Sequence, residues 1–298
     1  MNKREKKLET KLIDEGGKVK ELLKPKNDIV FQSLFTQKNE NITKNFISAM
    51  LDEEIESLQI NDMKELFRER PEDKLGILDL EADINGKEKI DIEVQLINQK
   101  NLAERLLFYF SKLYEIEIQK GKDYNKAKKV VIVAIVDYNI EITKKLKQME
   151  TVWNLREKEH REMVLTDKIE ICIIELSKVR EEYQKDKTNE KAQWLLFLNN
   201  PNDMEVQEIV EKNENIKEAT VEIVKMSKDE KLRKLAELRD KAIMDEKSIY
   251  AAGIDDGEKK GIKKAQIEIA KKLIKIKMPI EDIIDITGLS NKEIEDLY

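Results

Sequence analysis

The sequence predicts an α/β core followed by an α-helical extension, and three observations carry that prediction. Strand-like segments near 57–60, 77–97, 129–136 and 169–176 alternate with helical patterns. Beyond Pro201 the strand-like runs end, and only helical patterns with charge pairs follow. Charged residues make up 40% of the 298 residues and aromatics 5%, which implies an aliphatic core and helices with wet faces. The expected layout is a charged tail or extra helix over 1–23, the core over 24–200 and the helical extension over 201–298.

Composition also excludes. The formal charge of −6 argues against a uniformly basic nucleic-acid coat. The longest apolar run, Val130–Val136, is far short of a membrane span. The charged start, Asn2-Lys3-Arg4-Glu5-Lys6-Lys7, is not a secretory leader, and the lone Cys172 cannot close an internal disulfide. Together these predict a cytoplasmic protein with a reduced thiol. With His160 as its single histidine, read as a surface residue, the chain is poorly equipped for a structural zinc site or a Cys-His or Ser-His nucleophile. Gly16-Gly17 follows no strand and is not a phosphate loop. Any enzymatic chemistry therefore rests on carboxylates, acting through a metal.

Taken in order, Pro25 stops the leader, and Asn27 or Asp28 caps a helix carrying Ile29, Val30, Phe31, Leu34 and Phe35. After a polar break at 38–41 it resumes with Ile42, Phe46, Ile47, Met50 and Leu51. A short strand near 57–60 and a charged loop through Pro71 lead to the segment that organises the rest.

Residues 77–97 hold two runs of period-two alternation around Asn85-Gly86, a strong hairpin signal. Leu78, Leu80, Ala82 and Ile84 share one face, and Asp79, Glu81 and Asp83 the other. In the second run Ile90, Ile92, Val94 and Leu96 oppose Asp91, Glu93 and Gln95. A plain two-residue turn would set Asp79 on the face of Ile92, mixing acids with apolar side chains. A three-residue loop, Ile84-Asn85-Gly86 with Gly86 left-handed, restores agreement and puts Asp79 across from Asp91, diagonal to Glu93. A bulge near the turn serves equally well. Either way one face is apolar and the other is crowded with carboxylates. That face reads as a solvated surface or as hard-oxygen ligands for a divalent cation. Spacing does not choose between them.

Asn101 with Glu104 starts a helix to about Lys120, with Arg105, Tyr109 and Lys112 on one stripe. From 101 to 130 seven Lys/Arg face four Asp/Glu, a local excess of positive charge. Lys129–Val136 reads as a strand buried on both faces, followed by a polar helical stretch through His160. Ile169–Leu176 is another strand, with Cys172 as a small core hydrophobe. A helix carrying Trp194, Leu195, Phe197 and Leu198 stops at Asn200-Pro201. Gly253, Gly257 and Gly261 read either as a hinge or as a stripe that lets another helix approach. Residues 267–298 read as helix, helix, Gly288-Leu289-Ser290 turn, helix: helix-turn-helix-like, but too acidic at Glu293, Glu295 and Asp296 to suit phosphate contact.

Asn27-Asp28-Ile29-Val30-Phe31-Gln32-Ser33-Leu34-Phe35, Leu78-Asp79-Leu80, Ile92-Glu93-Val94-Gln95, Arg105 with Tyr109, Ser111-Lys112-Leu113-Tyr114 and Gly121-Lys122-Asp123-Tyr124 occur in that order. They resemble the Rpn family, recombination-promoting nucleases also described as transposases, of the PD-(D/E)XK superfamily. The tail Thr287-Gly288-Leu289-Ser290 with Glu293-Ile294 and the spaced glycines is similar to the ends of such proteins, so the resemblance covers residues 24–298. It implies a restriction-endonuclease-like core, a mixed sheet flanked by helices. It implies a Mg²⁺-dependent (or Mn²⁺-dependent) DNA endonuclease in which Asp79, Glu93 and the Val94 carbonyl hold the ion. Gln95, where the superfamily often has Lys, orients the attacking water without supplying charge. Arg105, Tyr109 and Lys112 would lie near the DNA backbone, and Asp28 would be a cap or a neighbour of the site. Cutting both strands favours a homodimer, here through the C-terminal helices, with a role in recombination, mobile-element or defence biology. The competing expectation is a degenerate nuclease fold kept as a binding or assembly module.

Overall fold

Asn27 caps α1 (Asp28–Leu34) by accepting from the Ile29 amide, and α1 buries Val30, Phe31 and Leu34. This computed structural model describes residues 12–13, 19–61, 65–66, 76–77, 79–118 and 123–297. A short 3₁₀ turn leads to α2 (Glu40–Leu51), which buries Ile42, Phe46, Ile47 and Met50 and ends on left-handed Asp52. Phe31, Phe35, Phe46 and Trp194 then meet in tilted, edge-on and stacked pairs, with ring centroids from 4.2 to 6.5 Å apart. These geometries suit the aromatic quadrupole.

The core sheet has six strands: β1 (Leu58–Asn61), β2 (Leu80–Ile84), β3 (Glu88–Gln95), β4 (Lys129–Val136), β5 (Glu150–Trp153) and β6 (Ile169–Glu175). Their order is β1-β2-β3-β4-β6-β5. β3–β4 and β4–β6 are parallel and the remaining pairs antiparallel, so the sheet is mixed. Alternation along β4 feeds two apolar layers. Val131, Val133 and Ile135 join Leu80, Ile84, Ile90 and Ile92 beneath α1, α2 and the helices α4 (Leu176–Lys185), α5 (Glu190–Asn199), α6 (Met204–Lys212) and α7 (Glu214–Lys228). Val130, Ile132 and Ala134 join Ile169, Ile171 and Ile173 beneath α3 (Leu102–Ile118), which contributes Leu106, Tyr109 and Leu113.

The hairpin register differs by two residues from the expected one. Asn85 (φ 51°) and Gly86 (φ 65°) are both left-handed, and the Lys87 amide donates to the Ile84 carbonyl at 3.1 Å. Ile84 pairs with Glu88, so Lys87 is an extra residue on the second strand. The bulge restores the face parity. It places Glu81 across from Asp91, and the same register carried one step beyond Leu80↔Ile92 sets Asp79 opposite Glu93.

One further expectation is corrected. The polar helix through His160 is instead a 3₁₀ turn (Glu141–Thr143), then β5, then an extended return in which Arg156 bridges Val164. That segment has no apolar stripe to bury, and the open edge of β6 gives its backbone a ladder. In the expected tail or helix at the start, the described residues are Leu12–Ile13, which pairs with Val19–Lys20, and those from 21 onward. The charged loop through Pro71 is described at Glu65–Leu66, which pairs with Gly76–Ile77. Leu78, Gly121 and Lys122 lie outside the described residues.

The chain divides into two units, residues 1–241 and 242–298. In the first, the opening turns of α8 (Glu230–Lys275) bury Ala236, and Arg239 pairs with Asp28 at 2.7 Å. In the second, Ala270 packs with Ile283, Leu289 and Ile294 from α8, α9 (Ile280–Thr287) and α10 (Asn291–Glu295). Gly288 (φ 68°) closes α9, and Ser290 with Glu293 forms a capping box on α10. α8 runs without interruption through Gly253, Gly257 and Gly261, so these glycines are not a break in the helix. A side chain at any of them would meet open space. Among the described residues no helix is long and apolar enough to cross a membrane.

Candidate active site

The acidic face of the hairpin is the face that α3 covers, because Asp91 and Glu93 stand beside Ile132 and Ala134 on β4. It is not a solvated surface. Asp91 is 0% and Glu93 1% exposed. The layer has two ends with different chemistry.

At the turn end each acid has a lysine. Lys89, itself buried, reaches Glu81 (3.0 Å), Asp83 (3.5 Å) and Glu117 of α3 (3.7 Å), and Lys128 pairs with Asp83. Burial pushes the Lys89 ammonium down, and the three carboxylates more than reverse it. Burial likewise pushes the Asp83 carboxyl up, and Lys128 and Lys89 bring it below its ordinary range.

At the other end the carboxylates face one another. Asp79 Oδ2 accepts from the Val94 amide (2.8 Å) and Oδ1 from the Gln32 side chain (3.2 Å). Glu93 Oε1 accepts from the Asp79 amide (3.3 Å) and Oε2 from the Gln95 side-chain amide (3.1 Å). Among the described residues neither oxygen of Asp91 has a hydrogen-bond partner. Burial, then the charges of Asp79 and Glu81, push the Asp91 carboxyl well above its ordinary range. Burial, then Asp91 and Asp79, do the same to Glu93, against weaker opposing pulls from the Asp79 amide and Arg105. A stable fold gains nothing from such an arrangement by itself, since like charges on neighbouring strands repel.

The structure thus brings Asp79, Glu93, Gln95 and Val94 together, with Val94 contributing its amide to Asp79. Arg105 leans over the Tyr109 ring (5.8 Å to its centroid) and donates to its hydroxyl at 2.9 Å. Burial and the Glu93 charge raise the Tyr109 phenol, and Arg105 pulls it back in part. Lys112 stands further along α3 and pairs with Glu115 at 3.3 Å. Asp28 is not the cap, which is Asn27; it accepts from the Ile29 amide and from Arg239. Sequence reasoning missed Gln32, one turn beyond Asp28 on the side of α1 away from Phe31 and Leu34. An i, i+4 reading of that helix from Asp28 is the signal that could have found it. Asp91 it placed on the acidic face without a role.

The donors here are hard oxygens, and the unpartnered buried oxygens of Asp91 sit among them, which fits a hard divalent cation. Among the described residues no three Asp, Glu, His or Cys side chains already converge as a cage. Mg²⁺ takes one or two carboxylates and keeps several waters, so Asp79 and Glu93 meet its requirement.

A family model described as PD-(D/E)XK nuclease family transposase matches residues 25–253 of the chain. No curated protein and no solved structure matches it significantly.

Proposed function

Because the chain belongs to the PD-(D/E)XK nuclease transposase family, we propose that it is a Mg²⁺-dependent DNA endonuclease that hydrolyses phosphodiester bonds in recombination, mobile-element or defence biology. The observation that carries this reading is the end of the acidic layer where the buried Asp91 and Glu93 stand beside Asp79. Buried carboxylates face one another there, while the same layer one pleat away is neutralised by lysines.

Asp79, Glu93 and the Val94 carbonyl are the groups that would hold the ion, with Mn²⁺ as an alternative. The chemistry an ion supplies there is Lewis-acid stabilisation of charge developing on the phosphate and activation of a water nucleophile. The protein's part is positioning. Val94 and Gln32 fix the Asp79 carboxylate, and such supporting hydrogen bonds set ligand orientation. The Gln95 amide, tethered to Glu93, orients water. Arg105, held by Tyr109, would meet a phosphate oxygen and Lys112 the DNA backbone further out, contacts that position without reading sequence. Asp28 acts through α1, tying the helix that carries Gln32 to Arg239. A homodimer through the C-terminal helices supplies a second site for the second strand.

A second reading, a degenerate fold serving as a binding or assembly module, is favoured by Gln95 in the place of a lysine and by the absence of a converged carboxylate trio among the described residues. Calorimetric titration with Mn²⁺ separates the two. Binding that Asp79→Ala removes supports the nuclease, and a wild-type protein that binds no divalent ion supports the module.

A further inference from the structure

We propose that Asp91 is a third carboxylate of the cation site, holding a water of the divalent ion that Asp79 and Glu93 bind. The inference rests on the metal-dependent reading above and deepens it.

Position 91 is in the middle of β3, fully buried, beside Ile132 on β4 and beneath the Leu106–Tyr109–Leu113 face of α3. An aliphatic side chain there would extend that apolar layer, so a carboxylate serves the fold worse than valine would. A buried carboxylate is ordinarily hydrogen-bonded or ion-paired. Among the described residues Asp91 has no such partner, although Lys89 is two residues away on the same face. That lysine instead spans Glu81, Asp83 and Glu117.

The three acids also differ in what already occupies them. Asp79 is oriented by the Val94 amide and Gln32, and Glu93 by the Asp79 amide and Gln95. Among the described residues Asp91 is the one of the three with no hydrogen bond to either oxygen. Parity and register put it on the Glu93 face, one pleat from the Asp79–Glu93 pair. What such a group lacks is a cation.

The test uses the full chain and Mn²⁺ as probe. Calorimetric affinity and metal-free melting temperature are measured for wild type, Asp91→Asn, Asp91→Ser and Asp79→Ala. The expected result is that both Asp91 variants melt no lower than wild type without metal and bind Mn²⁺ about tenfold to a hundredfold more weakly. Wild-type affinity in the Asp91 variants, alongside lost binding in Asp79→Ala, overturns the role of Asp91 and leaves the Asp79–Glu93 site standing. Failure of both Asp91 variants to fold also overturns it, since the carboxylate would then be holding the fold. A wild type that binds no Mn²⁺ overturns both readings.

Discussion

Replacing Glu93 with glutamine should stabilise the metal-free protein while removing its response to a divalent cation. Glu93 is 1% exposed and lies opposite Asp79 and two residues from Asp91. Opposed side chains in an antiparallel pair stand about 5 Å apart at Cβ. Two carboxylate charges about 6 Å apart at an effective dielectric constant of about 20 repel by about 3 kcal/mol. Proton uptake relieves part of this in the wild type, because burial and its neighbours hold the Glu93 carboxyl well above its ordinary range. The gain from Glu93→Gln is therefore about 1–3 kcal/mol, or about 2–12 °C in melting temperature for a unit of this size. The amide keeps the Asp79 hydrogen bond, and Gln95 can present its carbonyl to the new N–H. Thermal melts with EDTA, and again with Mg²⁺, read the effect. The wild type should gain stability from Mg²⁺ and the variant should not. A variant less stable than wild type in EDTA would show that the carboxylate supports the fold, and the stored-repulsion argument would fail.

Other outcomes follow from the same geometry. Gln95→Ala should slow cleavage more than it weakens Mn²⁺ binding, since a neutral amide competes poorly with carboxylates for a hard cation; equal loss of both, from kinetics and calorimetry, would make Gln95 a ligand. Asp91 and Glu93 are raised above 3.8 and 4.5 in the folded state, so the folded protein holds more protons than the unfolded one. Their destabilisation is absent below those values and grows as pH rises toward the raised ones, so melting temperature in EDTA should fall as pH is raised from about 5. A rise refutes the sign. Gly257→Leu with Gly261→Leu should turn a sedimenting dimer into monomer if the open glycine stripe is the homodimer seam. If the wild type is already monomeric at micromolar concentration, the stripe has no such role.

The mixed sheet and the facing of the hairpin were legible because strict period-two alternation around Asn-Gly admits few parities. Register was not. A bulge at Lys87 shifts pairing by two residues without disturbing the alternation, so Glu93 rather than Asp91 faces Asp79. The burial of the acidic face was hidden for a different reason. Arg105, Tyr109 and Lys112 read as one stripe of the helix, yet the same helix presents Leu106, Tyr109 and Leu113 to the sheet and sends Glu117 to Lys89. Such pairings across tens of residues leave no local periodicity. Gln32 reaches Asp79 from 47 residues away and escaped for the same reason. The edge strand at 150–153 was read as helix because its charged residues fit either period, and only the open side of β6 decides.

The most direct test of the central claim is plasmid cleavage by purified protein, with and without Mg²⁺, beside Asp79→Ala. The account predicts nicking or linearisation that needs the cation and disappears in the variant, while the variant's metal-free melting temperature stays at or above that of the wild type. Cleavage persisting at the wild-type rate in Asp79→Ala, or no cation-dependent cleavage by the wild type, would contradict it.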